Sequence, residues 1–255
     1  MADTLTIGLV LPDVLGTYGD DGNALVLRGR ARMRGINAEI LPIKLGEAVP
    51  EDLAAYTLGG GEDSAQVLAA EHLCADKGLI RAAANGRPIF AVCAGLQVLG
   101  ESFRAHGREI QGLSLIDATT APLSSRAIGE VASTPTKAGV TKQLTQPLNG
   151  FENHLGGTVL GADASALGTV TDGHGNGDGC HQAGNTAGHT EHGKSYEGAV
   201  QGSVIATYMH GPALARNPQL ADLILAQAMG IALADLEPLE LPEIDRLRLE
   251  RMDGR

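Results

Sequence analysis

The first hundred residues alternate short β-rich runs with helix-like stretches, and that alternation admits few folds. TLTIGLVL (4–11) reads as a buried strand. The polar turn GTYGDDGN leads into ALVLRGRARMR, a helix that Asn23 can cap and Gly35 can end. AEILPI (38–43) is a second strand, and strand, helix, strand predicts a right-handed βαβ unit in a parallel sheet. Tyr56-Thr57-Leu58 runs into Gly59-Gly60-Gly61. Residues 62–74 and 78–84 then read as helices, with Asp63 or Ser64 capping the first. Residues 89–92 form the next strand and 94–103 the next helix. The expected fold is a single α/β domain with a doubly wound, mostly parallel sheet and flanking helices.

The second half is richer in strands: GLSLIDATT, AIGEVAST, GTVLGAD, ALGTVTD and SVIATYMHG are separated by Gly, Asn and Asp. Asn217-Pro218 opens a helix that Gly230 ends. The domain therefore spans 1–235. The charged, Pro-interrupted tail of 236–255 either docks on it, reaches a partner or frays. Residues 172–198 hold eight Gly and four His but no Val, Ile, Leu, Met or Phe. Such a stretch buries too little apolar surface to offset its ordering entropy, so a mobile surface insertion is expected.

Composition excludes several functions. Net charge is −11, aromatics are 3% and Trp is absent, which leaves neither the cationic surface nor the stacking platforms of a nucleic-acid binder. No run approaches the roughly 18 apolar residues of a membrane span. Cys74, Cys93 and Cys180 lie far apart, which argues for a reducing compartment rather than a disulfide framework. The start lacks the basic region of a signal peptide, so a cytoplasmic protein without direct membrane insertion is expected.

The chemistry centres on PIFAVCAGLQVLG. A strand ending at Cys93, with small Ala91, Ala94 and Gly95 around it, is the pattern of a nucleophile elbow. The helix that follows points its positive N-terminus at the sulfur and favours thiolate. The Ala94 N–H is free to donate to an oxyanion. The bland reading is a buried small hydrophobe, as most free cysteines are. The glycines of LGGG let the backbone approach a ligand and could supply the other half of an oxyanion hole. No G-K-[ST] follows, so they are not a P-loop. His210 ends an apolar strand run just before Gly211-Pro212 and is the leading base, with His154 the second candidate. His72 and His106 lack such framing. His174, His181, His189 and His192 with Cys180 lack the framework of a structural zinc module, and no metal site is assigned.

LGGGEDSAQ, AVCAGLQVLG and YMHGPALARNP, in that order, resemble the class I, triad-type glutamine amidotransferases, in their cobyric-acid-synthase-like branch. TYGDDGN and GFENHLGGT sharpen the likeness to the glutaminase subunits that serve Mur-ligase-like partners. The resemblance implies a glutamine amidotransferase domain over 1–235, in which Cys93 attacks the amide of L-glutamine and His210 is its base. It implies that Gly60 or Gly61 and Ala94 hold the oxyanion, that Arg126 in SSRAIGE grips the substrate, and that Gln97 lies near it. It implies no cofactor in this chain, with ATP and Mg²⁺ in a MurT-type partner that forms a heterodimer with it. That partner would amidate the D-glutamate α-carboxylate of the lipid II stem peptide at the inner membrane face. One departure stands out: many triad enzymes carry an acid two residues after the histidine, where this chain has Pro212. Either Cys93 and His210 act as a dyad or an acid comes from elsewhere, and the resemblance favours an aspartate from the ligase subunit. An amidotransferase for a cobyrinate-type acid, a non-catalytic scaffold of this fold and a stand-alone cysteine hydrolase are the alternatives.

Overall fold

Ile7 and Val10 are fully buried in β1 (Leu5–Val10), the strand around which the first sheet is laid. In the computed structural model, which describes residues 4–16, 18–177 and 195–253, a loop leads from β1 into α1 (Gly22–Met33). β2 (Ala38–Ile43) returns parallel to β1 in the register Leu5↔Ala38 to Val10↔Ile43. The chain then crosses to the other side of β1 as β3 (Ala55–Leu58) and continues through α2 (Asp63–Asp76) and α3 (Gly78–Ala84). β4 (Ile89–Val92) and α4 (Ala94–Leu99) complete the predicted alternation. All four residues of β3 and all four of β4 are buried, as expected for parallel strands covered on both faces.

The chain then builds a second sheet. β5 (Ser102–Ala105) and β6 (Arg108–Gln111) form a hairpin beside the long strand β7 (Ala118–Pro135). β8 (Leu148–Leu160) runs antiparallel to β7, and β9 (Gly168–Asp172) and β10 (Tyr196–Glu197) extend the other side. β11 (Ala199–Gln201) and β12 (Val204–Thr207) return to the first sheet, whose order is β11-β12-β4-β3-β1-β2 with only β11 antiparallel. β13 (Met209–His210) crosses back to pair with β8. α5 (Ala213–Arg216), α6 (Pro218–Ala228) and α7 (Pro242–Asp253) end the chain. α6 packs on α1, and Asp222 accepts from Arg30 Nε at 2.7 Å and Nη2 at 2.6 Å while Arg34 adds a second ion pair at 2.9 Å.

Three expectations are corrected. The helix expected over 94–103 stops at Leu99, because Gly100 takes an extended backbone and Ser102–Ala105 pair as a strand. Asn23 does not cap α1. It lies inside the helix, donating from Nδ2 to the Asp20 carbonyl and accepting the Leu214 N–H. Of the stretch 172–198 expected as a mobile insertion, residues 172–177 and 195–198 belong to the fold, and 178–194 lie outside the described residues. Asn176 is buried and exchanges hydrogen bonds with both backbone groups of Gly198, at 3.0 and 2.7 Å. Polar anchoring of this kind replaces the apolar burial that the composition lacks. Cys180, His181, His189 and His192 lie outside the described residues. In the tail, Leu236 is buried, Arg34 Nε donates to the Glu237 carbonyl and Arg248 to that of Pro147.

Candidate active site

The strand order itself assembles the site. Ligands of open α/β sheets bind beyond the carboxyl ends of the strands, where the winding direction reverses, and here that reversal falls between β1 and β3. The segments leaving the carboxyl ends of β12, β4, β3 and β1 carry His210, Cys93, Gly60 and Asp20 in that spatial order. Four neighbouring strand ends thus bring together residues spread over most of the chain.

Cys93 occupies the elbow between β4 and α4. Its φ of 51° and ψ of −106° are sparsely populated for a residue with a Cβ, so the turn holds local strain. The surroundings overdetermine it: the Cys93 N–H donates to the Thr207 carbonyl at 2.8 Å, and its own carbonyl accepts the Gln97 N–H at 3.2 Å. Close-fitting Gly95 lets α4 leave the sheet, because a Cβ there would stand 3.1 Å from the Gly59 carbonyl oxygen and from Leu58 Cβ. Ala94 opens α4, where backbone N–H groups have no partner within the helix.

His210 reaches the site because the chain bends sharply between β12 and β13. Glu197, fully buried, holds that bend. Its Oε1 accepts the Thr207 hydroxyl at 2.5 Å and the Tyr208 N–H at 2.8 Å, and Thr207 Oγ1 in turn accepts the Met209 N–H at 3.0 Å. Burial pushes the Glu197 carboxyl up, against the pull of those two donors, to about 7. The His210 ring is buried and meets Tyr18 edge-on at 4.9 Å between centroids. Its Nδ1 lies 2.9 Å from Oδ2 and 3.2 Å from Oδ1 of Asp20. Burial opposes charge on the imidazole, but the hydrogen bond to Asp20 and the nearby Cys93 outweigh it and lift His210 to about 10. No hydrogen bond closes on the buried Nε2.

The acid expected from another chain has a counterpart here, because an acceptor for Nδ1 is already present in this one. Asp20 lies in GTYGDDGN, which reads in sequence as a polar turn. Its only signal is its place after the first strand of a parallel sheet, where such loops face the ligand. Pro212 stands where the acid usually is, and its ring packs against Gly22, where a Cβ would come 2.7 Å from Pro212 Cγ. The Gly60 assignment changes: its N–H donates to Asp20 Oδ2 at 2.9 Å and is not free for an oxyanion. Gly61, on the cavity wall, and Ala94 are the donors that remain.

A cavity of about 470 Å³ opens on Cys93. Glu62 and Asp63 line it together with Arg104, His106 and Arg126, so both signs of charge face one space. Arg126 lies where the β7–β8 register shifts: Pro122 pairs with Gly156 and Ala127 with His154, leaving 123–126 opposite Leu155 alone. That bulge lets Arg126 turn to the cavity, where Nη1 donates to Asn153 Oδ1 at 3.0 Å. Gln97 also lines the cavity, but its amide is engaged at both ends. Nε2 donates to the Tyr208 hydroxyl at 3.1 Å and Oε1 accepts from Gln66. Tyr208 is fully buried, shares a 2.6 Å hydrogen bond with Thr158, and has its hydroxyl pKa raised by burial.

His154, the second candidate base, stacks on Tyr208 at 3.8 Å with Nδ1 2.8 Å from the Gly156 carbonyl and Nε2 3.6 Å from Glu152. It is a wall residue of the cavity whose Nδ1 is engaged by the Gly156 carbonyl and whose Nε2 faces Glu152. Glu152 also accepts the backbone N–H groups of His174 and Gly175. Burial opposes its ionisation, yet these bonds and those to the two histidines hold it below the usual carboxylate range. Among the described residues no group of His, Cys, Asp and Glu has the arrangement of a metal centre. Cys74 is a packed thiol whose pKa burial raises. His72 contacts the Glu47 carbonyl. His106, which has no distinguishing pattern around it in sequence, meets Ser64 on the cavity wall.

A thiol on a strained elbow, a buried histidine beside it and a charged cavity in front are what amide transfer from glutamine requires, and the chain belongs to the CobB/CobQ-like glutamine amidotransferase family, whose domain model matches residues 6–218. The more particular likeness is to one subunit type. The chain is 32% identical over 240 residues to the lipid II isoglutaminyl synthase (glutamine-hydrolyzing) subunit GatD of Staphylococcus aureus, covering 93% of this chain and 89% of that one. It is 31% identical over 231 residues to the subunit of the same name from Streptococcus pneumoniae, covering 88% and 80%. A solved glutamine amidotransferase matches the fold with a TM-score of 0.53 at 18% identity, over 88% of this chain and 98% of its own. No helix among the described residues is long and apolar enough to cross a membrane.

Proposed function

We propose that this chain is the glutaminase subunit of a lipid II isoglutaminyl synthase. Cys93, activated by His210, attacks the side-chain amide carbon of L-glutamine. The developing oxyanion is held by the N–H groups of Ala94 and Gly61. His210 takes the thiol proton and returns it to the departing ammonia, and water then releases glutamate from the thioester. Arg126 receives the α-carboxylate through its bidentate fork, and Glu62 and Asp63 complement the α-ammonium. Gln97 shapes the cavity floor through Tyr208 and Gln66.

Ammonia passes to a Mur-ligase-like, MurT-type partner in a heterodimer. That partner uses ATP and Mg²⁺ to activate the D-glutamate α-carboxylate of the lipid II stem peptide, giving D-isoglutamine. This chain itself carries no cofactor, and it meets the inner membrane face only through the partner's lipid-linked substrate. The observation that carries the reading is the pairing of Cys93 and His210 across adjacent strand ends, in a chain similar over nearly its whole length to two GatD subunits. The test is to purify the chain with its native partner and supply lipid II, ATP and glutamine. Glutamine-dependent amidation of lipid II is expected, and Cys93→Ala should abolish it while added ammonia restores it. Amidation of a cobyrinate-type acid instead, or glutamine hydrolysis that survives Cys93→Ala, refutes the assignment.

A further inference from the structure

We propose that Thr207 is the positioning residue that sets the spacing of nucleophile and base, acting on Cys93 through its carbonyl and on His210 through its hydroxyl. The inference rests on the glutaminase reading above and deepens it. Thr207 is the last residue of β12 and pairs with Val92 at the end of β4, whereas Met209 already pairs with Glu152 of β8 in the second sheet. The chain thus changes sheets across Tyr208 alone and delivers His210 from the far side of that step. On the near side, the Thr207 carbonyl takes the Cys93 N–H at 2.8 Å and so fixes the backbone of the strained elbow. On the far side, Thr207 Oγ1 accepts the Met209 N–H at 3.0 Å, next to the histidine in the chain. Thr207 is fully buried and has no surface to offer a substrate, so it acts on the reaction through its neighbours.

The hydroxyl is tied down in one sense only. It has a single hydrogen, and a backbone N–H can only donate. The Met209 N–H therefore takes a lone pair of Oγ1, and the hydroxyl hydrogen goes to Glu197 Oε1 at 2.5 Å. Oε1 also accepts the Tyr208 N–H at 2.8 Å, so Thr207, Tyr208 and Met209 are all bonded into one buried turn. Glu197 is itself fixed, since Gly198 beside it has its N–H and its carbonyl both bonded to Asn176. Glu197 Oε2 is buried without a hydrogen bond, so a proton taken up there leaves both bonds of Oε1 in place. The hold on the turn is thus independent of the charge on Glu197. The turn reaches the nucleophile a second time through Tyr208, whose hydroxyl accepts from Gln97 Nε2 at 3.1 Å on α4, the helix that follows Cys93. A fully satisfied buried network of this kind holds its members in one arrangement.

The test uses the purified complex with its ligase partner. Steady-state glutamine hydrolysis and the pH dependence of Cys93 alkylation by iodoacetamide are measured on wild type, Thr207→Val, Thr207→Ala and Thr207→Ser. Valine keeps the shape of the side chain and the backbone carbonyl, but it neither donates to Glu197 nor accepts from Met209. Only the His210 side of the residue is released. Expected for Thr207→Val is a kcat loss of about 10–100-fold with KM within about twofold of wild type, because the base is displaced while the cavity walls are not. The alkylation midpoint should move to higher pH, since a thiolate parted from the imidazole loses its stabilising partner. Thr207→Ser restores the hydroxyl and should recover most of both. Thr207→Ala sets no second methyl against the carboxylate and keeps the experiment readable if the valine protein does not fold. A folded valine or alanine variant with wild-type kcat and wild-type alkylation overturns the proposal. So does a folded serine variant as slow as the valine one, which would make the methyl group and not the hydroxyl the part that matters. If the wild-type complex releases no ammonia from glutamine while the alkylation shift appears, the glutaminase reading falls and the positioning role stands.

Discussion

Gly60 sits where His210, Asp20 and Cys93 converge, and a side chain there would meet all three. A Cβ at position 60 would stand 2.9 Å from His210 Cε1, 3.1 Å from Asp20 Oδ2 and 3.4 Å from Cys93 Cβ. Carbon atoms in contact prefer about 3.5–4.0 Å, so Gly60→Ala must move the imidazole by about 0.6 Å or more. The backbone contributes no strain of its own, because Gly60 is not among the residues with positive φ. Overfilling a well-packed interior costs about 1–3 kcal/mol, and the loss of glycine's unfolded freedom returns about 0.4–1. The net cost is about 1–2 kcal/mol, a Tm fall of about 2–8 °C for a chain of this size. Catalysis suffers more, since a displacement of about 1 Å at a reacting group can cost about 10²-fold. The assay pairs steady-state glutamine hydrolysis with thermal melting. Gly29→Ala serves as the control: a Cβ there meets nothing within 4 Å and the residue lies inside α1, so activity should hold and stability should rise slightly. A Gly60→Ala enzyme with wild-type kcat would refute the placement of Asp20, Cys93 and His210 around this glycine.

Arg126→Ala removes a charged fork from the cavity wall and should raise KM for glutamine by about 10–100-fold with a smaller change in kcat, the loss of a charge-assisted pair being about 1.5–3 kcal/mol; steady-state kinetics decide it, and an unchanged KM would remove Arg126 from the substrate site. Glu197, with its carboxyl at about 7 in the folded chain against an ordinary 4.5, contributes stability that is complete below pH 4.5 and lost as pH rises through 7. Urea unfolding of Glu197→Gln against wild type should show a difference that changes by about 3 kcal/mol across that window, because a tenfold change in proton affinity is worth about 1.4 kcal/mol; a constant difference contradicts it. Asp222→Ala leaves Arg30 and Arg34 without their carboxylate between α1 and α6 and should cost about 3 kcal/mol in denaturant unfolding.

What is legible in the sequence is what is local. The elbow at Cys93, the helix over Gly78–Ala84 and the alternation that makes a parallel sheet are each written within a dozen residues. Asp20 is hidden because its partner lies 190 positions away, and nothing in GTYGDDGN distinguishes a turn from a loop aimed at a histidine. Glu197 and Asn176 lie in a stretch whose composition argues against order. They are ordered by hydrogen bonds to backbone groups, which composition does not count. The family resemblance puts Gln97 near the substrate, and the engagement of its amide with Gln66 and Tyr208 on the cavity wall is a tertiary fact that no local pattern shows. Arg126 needs the bulge in β7 to reach the cavity, and bulges leave little trace in a strand pattern.

The arrangement of strand ends also has a consequence for the chain during its synthesis. Cys93 is made more than a hundred residues before His210, while Asp20 precedes both. Until β12 docks beside β4, the elbow has neither the Thr207 carbonyl that receives its N–H nor the base that activates its sulfur. A growing or truncated chain therefore carries its nucleophile unarmed. Closing contacts of such long sequence separation is slow, because loop entropy is lost before any contact rewards it. The reactive thiol is thereby withheld until nearly the whole domain has been made, so that fragments and folding intermediates do not turn over glutamine.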